Sequence, residues 1–220
     1  MTDYAVARLN MVESQIRANN VTDPILVDAF LSVPRELFVA KAMRGIAYVD
    51  EDLALGDGRF LMEPMVLARL VQLAAVGPED LVLDVGAATG YSTAVLARVA
   101  AAVVGLEQDS AMIATASANL AQLGIDNAAF VEGPLEQGYP KQAPYNVIIF
   151  QGSIDAVPPA VADQLAEGGR LVAVMGRPRG LGQGTLFMRE HGTLSGRPAF
   201  DAATPVLPGF ARKPAFVFPA

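Results

Sequence analysis

One stretch constrains the fold of this chain more than any other: Leu81-Val82-Leu83-Asp84-Val85-Gly86-Ala87-Ala88-Thr89-Gly90-Tyr91, continuing through Ser92 to Ala97. A short apolar run ends in an acid, a turn bounded by glycines follows, and a helical pattern opens directly after it. That order is strand, tight loop, helix. Gly86 and Gly90 lack a Cβ, so the backbone can turn with φ > 0 and come close to a small molecule.

Spacing narrows the ligand. A dinucleotide loop of the form G-x-G-x-x-G needs its second glycine for the pyrophosphate and its third for helix-on-strand packing. Ala88 and Tyr91 hold those positions, which disfavours a nicotinamide or flavin dinucleotide. A G-x-x-x-G turn after an acidic strand end suits a ligand without phosphate, such as S-adenosylmethionine. Its amino group would meet Asp84, and its carboxylate the loop N–H groups at the helix start. The next strand, Ala102 to Leu106, ends in Glu107, followed by Gln108. An acid about 20 residues beyond such a loop can take ribose hydroxyls. The alternative is a plain strand–helix–strand unit with no cofactor.

The alternation continues. Strands are expected at Ala128–Gly133, Tyr145–Phe150 and Leu171–Met175, with helices at Ser92–Val99, Ser110–Leu123 and from Pro158-Pro159 to Leu165. The apolar run at Tyr145–Phe150 suits a strand buried on both faces. This pattern predicts an α/β fold with a doubly wound, mostly parallel sheet. Before it, residues 5–18, 25–31 and 35–43 read as helices, the second capped by Thr22-Asp23-Pro24. Residues 48–60 read as a polar loop, and Pro64 opens a helix through Leu73. After it, Thr185–Arg189 and a strand near Thr204–Leu207 are expected to finish the sheet as an antiparallel pair. His191 falls in a hairpin turn, and the tail from Lys213 to Pro219 is either frayed or docked. The expectation is one domain over 1–220: a helical and substrate-loop portion (1–76), a cofactor-binding core (77–176), and C-terminal strands with a tail (177–220).

Composition sets outer limits. At 220 residues the chain suits one well-filled α/β domain. A net charge of -7 argues against a general nucleic-acid or anionic-membrane binder. With no cysteine and a single histidine, thiolate metal sites, disulfides and Cys nucleophiles are excluded, and no metal is expected. No apolar run reaches the roughly 18 residues that would span a bilayer, and the cytoplasm is the default location.

Taken in order, these residues resemble the protein-L-isoaspartate O-methyltransferase family over nearly the whole chain. The resemblance rests on Met11–Ile16, on Val33-Pro34-Arg35-Glu36-Leu37-Phe38-Val39 followed by Ala47-Tyr48, and on the loop Asp84–Tyr91. Ala143–Asn146 and Gln164–Leu171 are its later landmarks. It implies a Rossmann-like methyltransferase sheet, S-adenosylmethionine as cofactor, and a protein or peptide substrate carrying altered aspartyl residues, with a monomer as default. The implied cofactor residues are Asp84, Gly86, Ala87, Thr89, Gly90, Tyr91, Glu107, Gln108, Gly133 and Leu135.

Two segments depart from the family's pattern. Where relatives carry G-Q-T-I-S-Q-P at the substrate, this chain has Gly58-Arg59-Phe60-Leu61-Met62-Glu63-Pro64, so a thioether replaces a hydroxyl. Where relatives carry G-D-G-x-x-G beside the adenine, it has Gly133-Pro134-Leu135-Glu136-Gln137-Gly138, and Pro134 offers neither carboxylate nor N–H.

Methyl transfer to a carboxylate needs no general base, because an acid with pKa near 4 is already an anion at neutral pH. Orientation carries such a reaction, and is worth up to about 7–11 kcal/mol. Arg59, Met62 and Glu63 are the substrate-loop candidates, with Arg59 expected to pair with Glu63 or with the acceptor. Glu63 near an anionic acceptor implies repulsion of roughly 1–4 kcal/mol, and the lost hydrogen bond about 1.5–3 kcal/mol more. Two readings follow: an isoaspartate-type methyltransferase, or a divergent form with another acceptor or with binding alone.

Overall fold

The computed structural model describes residues 3–176 and 181–211. The tail expectation at Lys213–Pro219 lies outside them, as do residues 177–180.

Helix α1 (Tyr4–Met11) starts at Asp3, whose carboxylate accepts from the N–H groups of Ala5 and Val6. It does not continue to residue 18 as a regular helix. Val12–Ile16 widen into a π turn and Arg17–Asn19 tighten into a 3-10 turn, ended by Asn20 at φ 62°. The wider turn places Met11, Val12 and Ile16 together in the core, and Gln15 is tied to the Tyr48 carbonyl at 2.9 Å. Helix α2 (Pro24–Ser32) has the expected Asp23 cap and proline in its first turn. The expected helix at 35–43 is instead two 3-10 segments, Arg35–Phe38 and Lys41–Ile46.

Residues 48–60 are not simply a loop. Strands β1 (Leu53–Gly56) and β2 (Arg59–Leu61) form a separate two-stranded hairpin. Asp57 (φ 50°) and Gly58 (φ 71°) make its turn, the Asp-Gly pair that a tight hairpin favours. Helix α3 (Pro64–Leu73) then lays Val66, Leu67, Leu70 and Val71 against the sheet.

The sheet has seven strands: β3 (Leu81–Val85), β4 (Ala102–Glu107), β5 (Ala128–Glu132), β6 (Tyr145–Ile154), β7 (Leu165–Met175), β8 (Gly182–Glu190) and β9 (Thr193–Ala202). Their spatial order is β5-β4-β3-β6-β7-β8-β9. The first five pair in parallel and the last two antiparallel. Helices α4 (Tyr91–Ala97) and α5 (Ser110–Gln122) connect the parallel strands, and α5 is capped by Asp109. Alternate residues feed opposite faces: Val82, Val147 and Ile149 enter the core under the N-terminal helices, and Leu83, Val85, Ile148 and Phe150 enter the other.

Three further expectations need correction. The helix toward Leu165 is only one turn, α6 (Pro159–Ala162), because Leu165 already pairs with Tyr145 at the start of β7. The partner of β8 is β9, joined through His191 (φ 52°) and Gly192 (φ 73°), whose N–H groups donate to Glu167. The segment near Thr204–Leu207 makes a single parallel bridge, Val206 to Ser153, and packs over the end of β6. Among the described residues no helix is long and apolar enough to cross a membrane.

Candidate active site

The chain winds from β3 outward through β4 and β5, then returns to place β6 on the other side of β3. Crevices at the carboxyl ends of strands open at such a reversal. Loop 86–90 sits there, with Gly86 at φ 82°, Ala88 at φ 48° and Gly90 at φ 92°. The N–H groups of Gly86 and Ala87 donate to the Leu106 carbonyl at 2.8 and 3.1 Å, which ties the loop to β4. Thr89 Oγ1 donates to the Phe38 carbonyl at 2.7 Å and fastens the loop to the N-terminal portion. Tyr91 is not presented to a ligand: it is buried, with its ring edge-on to Phe30 and Phe38.

Glu107 stands at the tip of β4, fully buried. Its Oε2 accepts from Ala88 N at 2.8 Å, and its Oε1 from Gln108 N at 2.8 Å and Asp109 N at 3.3 Å. The remaining capacity is taken by Arg59. Its Nη1 lies 2.9 Å from Oε2 and 3.0 Å from Oε1, and its Nη2 donates to the Gly86 carbonyl at 2.5 Å. Arg59 is 2 % exposed. Burial pulls its pKa down, opposed by the Glu107 charge. Arg59 therefore pairs with Glu107 and not, as expected, with Glu63. It was legible as a cation near carboxylates, but which carboxylate depended on the hairpin that carries it.

Asp84 also departs from expectation. Ser92 Oγ and Thr93 Oγ1 donate to its Oδ2 at 2.7 and 2.6 Å, and Gln151 Nε2 donates to its Oδ1 at 2.7 Å. Burial raises its pKa against those hydrogen bonds. With no exposed surface, the carboxylate is enclosed by its own neighbours rather than offered to a ligand amine.

On the substrate side, Met62 is a core residue at 3 % exposure, and its carbonyl accepts from Arg35 Nη2 at 2.8 Å. Glu63 precedes α3, its N–H donates to Asp52, and burial with Asp52, Asp50 and Glu51 nearby pushes its carboxyl up to about 7. Sequence reasoning missed the role of Arg35. Fully buried, it donates to the Ala47 and Met62 carbonyls and lies 4.8 Å from the Tyr91 ring centre. Its signal was the charged pair Arg35-Glu36 set among the apolar residues Val33, Leu37, Phe38 and Val39.

At the far end, the Gly133 N–H donates to the Glu107 carbonyl at 3.1 Å, while the Leu135 side chain is buried in the core rather than facing a cleft. Leu207 occupies the space over the loop: a Cβ on Gly86 would meet Leu207 Cδ1 and Arg59 Nη2, each at 2.9 Å. The cavity remaining beside Gly86, Ala88, Tyr91 and Gln151 is about 10 Å³. In this conformation the residues present do not fit S-adenosylmethionine: Arg59 takes Glu107, Leu207 covers Gly86, and the cavity left between them is far smaller than such a molecule. A larger cavity, about 550 Å³, lies outside the hairpin, between residues 37–40, 54–57, Thr89, Asp109 and Met112.

A seven-stranded sheet with this order, an acid at the tip of β4 and a glycine-bounded loop at the reversal define an α/β methyltransferase-type protein. The family model of protein-L-isoaspartate(D-aspartate) O-methyltransferase matches residues 7–197. The chain belongs to that family, whose members are S-adenosylmethionine-dependent O-methyltransferases. It is 35% identical over 178 residues to a protein-L-isoaspartate O-methyltransferase of Koribacter versatilis, covering 81% of this chain and 80% of the relative. A solved protein-L-isoaspartate O-methyltransferase superposes with a TM-score of 0.81 at 28% identity, over 92% of this chain and 66% of that longer one. A Plasmodium falciparum protein solved with S-adenosyl-L-homocysteine shares the fold, with a TM-score of 0.77 at 18% identity over 94% of this chain and 99% of that one.

Proposed function

We propose that this chain is a methyltransferase of the isoaspartate type, acting on the carboxylate of altered aspartyl residues in proteins or peptides, as a cytoplasmic monomer. The observation that carries the reading is the family match across residues 7–197, which spans both the loop at the sheet reversal and the segment 58–64 beside it. The chemistry is compatible with what the chain contains: a carboxylate acceptor is already ionised, so no histidine or cysteine base is required. Orientation would fall to the loop 86–90 and to the segment that closes over it.

A second reading, a member that binds without turnover, is favoured by one feature: Arg59 on Glu107, in the position a ribose would take. Methyl transfer from S-adenosylmethionine to an isoaspartyl peptide, beside its normal aspartyl control, separates the two. Transfer to the isoaspartyl peptide alone supports the first reading. Transfer to neither, with binding seen by calorimetry, supports the second.

A further inference from the structure

We propose that Arg59 is a built-in ligand of the donor cleft, and that a nucleoside reaches Glu107 only when the hairpin Leu53–Leu61 has carried Arg59 out. The inference rests on the family reading given above. Glu107 accepts from three backbone N–H groups, so Arg59 supplies the donors that ribose hydroxyls would supply. Its second nitrogen takes the Gly86 carbonyl, which closes the loop to any other donor from the same side. One side chain thus answers two acceptors at the reversal of the sheet.

The element that carries Arg59 is suited to leave. β1 and β2 pair only with each other and not with the seven-stranded sheet, so moving them breaks no ladder of the core. Gly56 just before the turn and Gly58 within it are both at positive φ. Residues 54–57 line the 550 Å³ cavity on the outer side, so that edge of the hairpin is not packed solid. The arginine itself holds the hairpin down: one guanidinium nitrogen meets both Glu107 oxygens while the other reaches the Gly86 carbonyl, a two-acceptor geometry that lysine does not reproduce.

A ligand that binds only a minor open form has its affinity lowered by the fraction of that form, so an open population of about 1–10% weakens binding about 10–100-fold. Removing the fork should return that factor. Glu107 keeps its three backbone partners in such a variant, which leaves it hydrogen-bonded after the cation has gone.

The experiment is calorimetric titration of S-adenosylhomocysteine into the full chain and its Arg59→Gln, Arg59→Met and Arg59→Lys variants, with circular dichroism as the check on folding. Gln and Met variants are expected to bind at least about 10-fold more tightly than the parent, and the Lys variant to lie between. If the two neutral variants fail to fold, the Lys variant carries the comparison, with tighter binding than the parent required. Equal affinity across the set, or no binding by any variant, overturns the proposal. Tighter binding without methylation of an isoaspartyl peptide would keep the built-in ligand and remove the proposed activity. A parent chain that binds like its variants and methylates the peptide would do the reverse.

Discussion

Gln151 Nε2 donates to Asp84 Oδ1 at 2.7 Å, joining β6 to β3 at the point where the strand order reverses. With Ser92 and Thr93 on the other oxygen, one carboxylate satisfies three buried donors from β6 and the start of α4. Its first duty is therefore structural.

Asp84→Ala should lower unfolding free energy by about 3–5 kcal/mol, because three buried donors lose their partner together. Asp84→Asn keeps the shape and part of the bonding, and should lose about half as much. Urea denaturation measures both. An unchanged midpoint for Asp84→Ala would show that the network contributes nothing to stability.

Arg35→Lys should also destabilise, although it preserves charge. The guanidinium serves the Ala47 and Met62 carbonyls at 2.7 and 2.8 Å and stacks over Tyr91. A lysine has no planar fork for both carbonyls, and burial already depresses the arginine's pKa. A loss of about 2–4 kcal/mol is expected in urea melts. A loss within the scatter of surface substitutions would mean that the two carbonyls find other donors.

The sheet was legible because its strands announce themselves: β3 ends in an acid before a glycine turn, and β6 is an unbroken apolar run. Caps at Asp23 and Asp109 fixed two helix starts by local chemistry. The hairpin β1–β2 was obscured because the acids at 50–52 look like a solvated turn, although Asp57-Gly58 is a hairpin signal. The site was half legible. Glu107 and the loop could be placed from spacing, but Arg59 lies 48 residues from Glu107 and Leu207 lies 121 from Gly86 in the chain, so only tertiary packing brings each to its neighbour. The same limit hid the true neighbours of Asp84, since Gln151 is 67 residues away.

Glu63 should make stability depend on pH. Its folded pKa of about 7 lies above the ordinary 4.5, so between those values the unfolded chain releases the proton first. Stability contributed by the protonated acid is complete below about pH 4.5 and declines as pH rises through 7. Asp52, also raised by burial, adds to the decline. After solvent screening the Glu63 share is about 1 kcal/mol. Glu63→Gln should shrink the difference between thermal midpoints at pH 5 and pH 8, and a difference as large as the parent's would assign the dependence elsewhere.

The loop at the reversal carries opposite strains at two neighbouring positions. Ala88 sits at φ 48°, where a side chain crowds its own backbone, while its N–H is committed to Glu107. Ala88→Gly removes that crowding, worth roughly 1–2 kcal/mol, against a loss of about 0.4–1 kcal/mol from a more flexible unfolded chain. A small net gain should appear in urea melts. Gly86→Ala runs the other way: φ is 82°, and the new Cβ would fall 2.9 Å from both Arg59 Nη2 and Leu207 Cδ1. Leu207→Ala opens space on one side, so the double variant should be less damaged than the sum of the two single changes. Simple additivity would mean that Leu207 yields on its own and that backbone strain alone accounts for the Gly86→Ala loss.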